Sequence, residues 1–312
     1  MINAVLPPAP QTQHVIQRDV PPQLYPLATY AAQRALRGKP LLENLRPLLA
    51  ADETVRETRA TLWAGRGNVR EDLTSNNYDS SRRTFASRAL SAEFDIPSVT
   101  DLDYADISTA IAATAGSGNC GEHAAIAMRL HGNPERLQDG NVLSTMSLNN
   151  PEYDHAWVVL ALAADENSQE IVIDPWMRGP AVMREDAQPL HNSEVCSTLA
   201  TVSGDEARDL YKNFRFSSAW FSNRADDIHQ QVSNMEEAIE TGIREDDIYD
   251  EVDVTSEAFR VSASSAAAQQ ATNHLLVSIP TVAAARELGA NVKGAAAFTR
   301  DVFAKLAQTA GL

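Results

Sequence analysis

The chain is short of cysteine, of basic charge and of long apolar runs. It has two cysteines in 312 residues, and 26 Lys+Arg against 42 Asp+Glu give a formal net charge of −16. Two cysteines cannot form the disulfide framework of a small secreted scaffold, and a chain this long can bury a core without covalent staples. The deficit of basic residues disfavours phosphate backbones and anionic lipids, so nucleic acid is not expected as a partner. No stretch approaches the roughly 18 consecutive apolar residues of a membrane-crossing helix, so no membrane span is expected. The opening residues, MINAVLPPAPQTQHVIQRDVPP, lack the basic start and apolar core of a secretory signal, and Ile2 stands where N-myristoylation needs glycine.

What charge there is lies unevenly. Residues 1–100 hold 12 basic and 10 acidic side chains, whereas residues 101–312 hold 14 and 32. The densest acidic run, between Asp226 and Asp253, has eleven carboxylates opposed only by Arg244. Such blocks ordinarily form a solvated face; the sharper reading is a docking surface for a basic partner protein.

Four regions follow from composition and periodicity. Residues 1–22 hold five prolines and read as a flexible N-terminal segment. Residues 23–100 read as helical, with a helix from Leu27 stopped near Gly38, an interruption at Pro47 that leaves one short helix or a kinked one, and a capped helix from Asp52 ending before Gly65. Residues 65–81 read as loop, and 82–99 are ambiguous. Residues 101–204 form the core region, opened by a helix from near Tyr104. There the turn GSGN leads into a second helix, from near Cys120 to Gly132, followed by a polar loop. Two strand-like runs come next, HAWVVLALA and EIVIDPW, spaced for an antiparallel hairpin. Residues 205–312 return to helix, in segments such as SSAAAQQATNHLL, PTVAAARELGA and AAAFTRDVFAKLAQ. The fold class is α+β.

Cys120, His155 and Asp174 carry the chemistry. At the start of a helix a thiolate meets unpaired N–H groups and the positive end of the dipole. Gly116, Gly118 and Gly121 leave room for a substrate backbone to approach the sulfur. A hairpin centred between Asp165 and Glu166 sets Asp174 opposite Trp157 with His155 as its diagonal neighbour, roughly 7–8 Å away by Cα. A slip of one residue would put the two on opposite faces. In that register Asp174 orients the imidazole, and His155 takes the thiol proton and returns it to a leaving group. Cys196 reads as a packing residue, Trp157 and Trp176 as core beside the site, and His131 as a partner of its helix C-terminus. A zinc site from Cys120, His123, His155 and Asp174 has suitable donors but no C-x-x-C or H-E-x-x-H spacing. No metal and no cofactor is expected.

The blocks GNCGEHA, DHAWVV and VIDPW, in that order, resemble the Cys, His and Asp blocks of the transglutaminase-like branch of the papain-like cysteine enzymes. The likeness covers Ala115 to Trp176. It implies a papain/transglutaminase-like core, in which the cysteine-bearing helix packs on a small antiparallel sheet, with Cys120, His155 and Asp174 as the triad. The activity implied is acyl transfer at amide bonds of proteins, whether as thiol protease, glutamine deamidase or transglutaminase. Papain-like proteases place an oxyanion-binding Gln several residues before the cysteine. Thr114 stands six residues upstream here, which leaves Asn119 as a candidate donor. The helical flanks and the start of the chain are also similar to bacterial type III secreted effectors, including the AvrPphE/HopX group. That likeness implies a virulence protein, exported without a cleavable signal peptide into the host cell cytoplasm, or else resident in the bacterial cytoplasm. A host protein would be the substrate. The alternative is a non-catalytic binding protein that uses residues 226–253 and the helical flanks.

Overall fold

The computed structural model describes residues 25–36, 39, 41, 44–93, 103–150, 153–162, 169–192, 194–234 and 243–259. The expected flexible segment 1–22 and the three Ala-rich C-terminal segments lie outside these residues. The chain divides into two units, one formed by 1–45 with 257–312 and the other by 46–256.

In the first unit, helix α1 (Tyr25–Leu36) buries Leu27, Tyr30, Ala31 and Arg34, the i, i+3, i+4, i+7 face of a helix. The Tyr30 and Phe259 rings lie 5.4 Å apart. Helix α2 (Leu45–Thr61) starts at the junction and corrects two expectations. Pro47 does not break it, because it is the third residue of the helix, where N–H groups have no intrahelical acceptor anyway. Asp52 does not cap it either; it lies mid-helix and pairs with Arg56 one turn on, at 3.2 Å.

The segment expected as loop after Gly65 holds β1 (Gly65–Arg66) and α3 (Arg70–Ser75), and then runs into α4 (Asp79–Glu93). Helix α5 (Tyr104–Ala115), the short β2 (Ser117–Gly118) and α6 (Cys120–His131) follow. The remaining strands are β3 (Val142–Asn150), β4 (Tyr153–Ala161), β5 (Glu170–Ile173), β6 (Val182–Met183) and β7 (Ser197–Val202), before α7 (Gly204–Ser222) and α8 (Ala225–Asn234).

The five strands β3–β7 form one antiparallel sheet in the order β6-β5-β4-β3-β7, so the fold is mixed α+β. The expected β4–β5 hairpin is therefore part of a larger sheet. Strand β3 falls in the stretch expected as polar loop. Its hydroxyls pair across the sheet, Ser144 with Thr201 and Ser147 with Ser197, each at 3.0 Å. A strand joined to its neighbour by hydroxyl pairs carries little apolar alternation for a reader of sequence to detect.

Helix α6 packs against β4 and β3, while α4, α5, α7 and α8 form a helical layer. Ala86, Ile107, Ile111, Phe221, Ile228 and Val232 fill that layer. A buried pair, Arg129 to Asp106 at 2.9 Å, links α6 to α5, and Asn213 of α7 donates to the other Asp106 oxygen at 3.2 Å.

The acidic run is described over 226–234, in α8, and over 243–253, and this second part lies along the chain's own arginines. Glu245 and Asp250 pair with Arg70, Glu251 with Arg66 and Arg178, and Asp253 with Arg178. Backbone bonds hold it: Tyr249 N–H to the Asn68 carbonyl (2.9 Å), Arg70 N–H to the Tyr249 carbonyl (2.9 Å) and Arg178 N–H to the Val252 carbonyl (2.7 Å). Among the described residues no helix is long and apolar enough to cross a membrane.

Candidate active site

Two short parallel strands prepare the start of α6. Gly65 lies opposite Ser117 and Arg66 opposite Gly118, and the Gly67 N–H continues the ladder to the Gly118 carbonyl at 3.2 Å. Gly116, with φ of 77°, lets α5 turn into β2; a Cβ there would come 2.4 Å from the Trp63 indole nitrogen. Asn119 then takes an extended N-cap conformation. Its N–H donates to Glu122 Oε2 (2.8 Å), and its carbonyl accepts from the His123 N–H (3.0 Å) and contacts His123 Nδ1 (2.9 Å). Cys120 is thus the first residue of the helix. Its thiol is free and half-buried, with Sγ 4.0 Å from the Asp154 carbonyl.

Arg88 reaches this helix start from α4 and holds both Glu122 oxygens, at 2.8 and 3.0 Å. Burial opposes ionisation of Glu122, but Arg88 and the Asn119 N–H keep its carboxyl below the ordinary range. The Arg88–Glu122 pair therefore braces the start of the helix that carries Cys120.

His155 lies on β4 opposite Leu148 of β3. Its ring is stacked on Trp157 (5.6 Å between centroids, 17° between planes) and tilted against Trp176 (5.0 Å). Nε2 meets Asp174 Oδ2 at 2.6 Å. Burial alone would push the imidazole down. The charge and hydrogen bond of Asp174, helped by the nearby Cys120, overcome that and raise it to about 10.

Asp174 follows the last residue of β5. The β4–β5 register, Val158 opposite Ile173 and Val159 opposite Val172, is the one the hairpin spacing predicts. Continued by one pair it sets Asp174 opposite Trp157, diagonal to His155. Asp174 Oδ2 also meets His191 Nε2 at 3.0 Å, while Oδ1 accepts the Met177 N–H at 3.1 Å. Burial opposes the carboxylate, yet the two imidazoles hold it far below its ordinary range. The loop that carries it is clamped by arginines. Arg59 donates to the Pro175 carbonyl (3.0 Å) and to that of Met177, and Arg66 donates to the Trp176 carbonyl (2.9 Å).

His155, Asp174 and His191 bring possible ligand atoms within 4.8 Å of one another. Both imidazoles, however, direct Nε2 at the same carboxylate oxygen, at 2.6 and 3.0 Å. Those are hydrogen-bond separations, too close for a zinc ion to sit between atoms it binds at about 2.0–2.2 Å each. The cysteine-containing zinc set does not assemble. His123 is buried on the Asn119 carbonyl, lowered to about 4 by burial, and lines a separate cavity of about 320 Å³ with Arg59 and Arg66.

His131 also departs from expectation. It is buried with Nδ1 2.9 Å from the Thr54 hydroxyl, and burial lowers it to about 3, so it is neutral and brings no charge to its helix C-terminus. Cys196 Sγ lies 3.1 Å from the Leu190 carbonyl, and Cys196 does not line the cleft described next.

Cys120 opens onto a cleft of about 600 Å³ whose walls include Asn68, Arg88, Asp154, Leu199 and Tyr249. His155 and Asp174 lie behind it, 0% and 1% exposed. Leu199 reaches the cleft from a bulge in β7, since Thr145 pairs with Ala200 and Met146 with Thr198. Asn119 lines the same cleft, with Oδ1 set against Gly67, where a Cβ would approach it to 2.9 Å. His191, Arg59, Arg66 and Arg88 had no sequence signal. They stand in helical stretches or, for Arg66, in the two-residue β1, distant in sequence from the residues they contact, and only folding brings them there. No protein-family model, curated protein or solved structure matches this chain.

Proposed function

We propose that this protein is a cysteine acyl-transfer enzyme acting on amide bonds of proteins, built on a papain/transglutaminase-like core. Cys120 is the nucleophile, His155 the general base and acid, and Asp174 the group that orients His155. One observation carries the reading. The His155 imidazole lies 2.6 Å from a buried carboxylate, behind the cleft of about 600 Å³ that Cys120 lines. An imidazole raised to about 10 is charged at neutral pH and stabilises the thiolate as an ion pair. The thiolate attacks the amide carbon, and His155 donates its proton to the departing amine. Attack of water on the thioester then gives proteolysis or deamidation, and attack of an amine gives cross-linking; all three share the acylation step. The resemblance to exported bacterial effectors supports a host protein as the substrate.

Thiol reactivity tests the pair, with Cys196 as internal control. At mildly acidic pH, iodoacetamide should label Cys120 well ahead of Cys196, and His155→Ala should bring Cys120 down to the Cys196 rate. Equally slow labelling of both cysteines in the wild-type chain would refute the reading. Intact-mass analysis of candidate substrates then separates the outcomes. Fragments mean proteolysis, a gain of a single dalton means deamidation, and amine adducts mean cross-linking.

A further inference from the structure

Attack on an amide places negative charge on the carbonyl oxygen, which needs hydrogen-bond donors fixed before the reaction begins. We propose that Asn68 is such a catalytic residue, its side-chain amide donating to the oxyanion; this rests on the acyl-transfer reading above. The parallel pairing of β1 with β2 ends at Arg66 and Gly118, two residues before Asn68 and Cys120 respectively, and these two residues line the same cleft. The Trp176 indole N–H donates to Asn68 Oδ1 at 3.1 Å. An indole nitrogen only donates, so the atom facing it must be the amide oxygen, and the NH₂ group is turned away from Trp176. Trp176 is itself buried and packs on the His155 ring, so one side chain orders both the base and the donor. The Asn68 carbonyl is tied to the Tyr249 N–H at 2.9 Å, which fixes the backbone beneath the side chain.

Asn119 is less suited to this role. Its N–H and carbonyl are both used in starting α6, and its side chain belongs to that helix's capping box with Glu122. The second donor is the N–H of Cys120, which as a first-turn group has no intrahelical acceptor.

The step balances with these groups. The thiolate pair forms the C–S bond while the C=O π pair moves onto oxygen, where Asn68 Nδ2–H and the Cys120 N–H receive it. Collapse restores C=O and breaks C–N, and the nitrogen leaves with the proton from His155. Water then replaces sulfur by the reverse sequence.

Two probes of the full chain isolate this role. p-Nitrophenyl acetate acylates Cys120 through an oxyanion and releases nitrophenolate, whereas iodoacetamide alkylates the same sulfur without one. Asn68→Ala should lower acylation about 10²–10³-fold and leave alkylation unchanged. Asn68→Asp keeps an acceptor for Trp176 but loses the donor, so it should lose acylation too. Two results overturn the assignment: Asn68 variants that acylate at the wild-type rate, or both rates falling together in both Asn68 variants. A wild-type chain that neither acylates nor alkylates quickly would instead overturn the acyl-transfer reading and, with it, the role of Asn68.

Discussion

Replacing Asp174 with asparagine changes one atom type in a fully buried cluster, and the consequences follow from its three contacts. The carboxylate accepts from His155 and His191 at Oδ2 and from the Met177 N–H at Oδ1. An amide has one oxygen. If that oxygen keeps Met177, the NH₂ group faces His155 Nε2, which must then become the acceptor, with the ring proton on Nδ1. If the oxygen faces the imidazoles, the NH₂ group opposes the Met177 N–H. Either arrangement leaves a buried group unmatched.

Removing one partner of a buried charged pair costs about 3–5 kcal/mol. At about 2–4 °C per kcal/mol for a domain of this size, Tm should fall by about 6–20 °C. The effect is pH-dependent with a definite sign. Asp174 is lowered from 3.8, so its contribution is present above that value and is lost as pH falls. His155 is raised from 6.5 to about 10, so its contribution is full below 6.5 and declines as pH rises towards 10. Wild-type stability from this pair is therefore greatest between about pH 4 and 6.5, and Asp174→Asn should flatten that part of the profile. Thermal melts at pH 5, 7 and 9 measure it, alongside iodoacetamide labelling of Cys120. Labelling in the variant should fall, because the imidazole tautomer is wrong. A variant that melts with the wild type at pH 5 and labels at the wild-type rate would refute the whole account of the cluster.

Two further outcomes follow from the same contacts. His191→Phe fills the volume against Trp157 but removes one donor to a buried carboxylate; urea unfolding should show a loss of about 1.5–3 kcal/mol, smaller than that of Asp174→Asn. Gly67→Ala puts a Cβ 2.3 Å from Thr84 Oγ1 and 2.9 Å from Asn119 Oδ1, so overpacking should cost about 1–3 kcal/mol and slow acylation of Cys120 by displacing the cleft wall. An alanine chain with wild-type stability and acylation would show that the wall yields freely.

Much of the local structure is legible in the residues themselves. GSGN before Cys120 marks the helix start, Gly132 its end, and the spacing of HAWVV and VIDPW sets the hairpin register that makes His155 and Asp174 diagonal neighbours. These are short-range features, decided by backbone preference and alternation over a few residues. The misreadings are also physical. Pro47 is tolerated because it stands in a first turn, β3 is disguised by its hydroxyls, and Asp52 forms an i, i+4 pair where a cap was expected.

The two scarcities noted at the outset resolve differently. The cysteine count alone excludes a disulfide scaffold, and the glycine-rich approach to Cys120 alone separates it from Cys196, because helix-start chemistry is local. The acidic excess is a different case. The sequence shows a near-neutral first third and an acidic remainder, but only the tertiary structure lays Glu245, Asp250, Glu251 and Asp253 along Arg66, Arg70 and Arg178. It alone also brings His191 onto Asp174 and Asn68 beside Cys120, across separations of 17 and of some fifty residues. Periodicity and turn chemistry act over a few residues, whereas contacts at such separations exist only once a particular set of strands has paired.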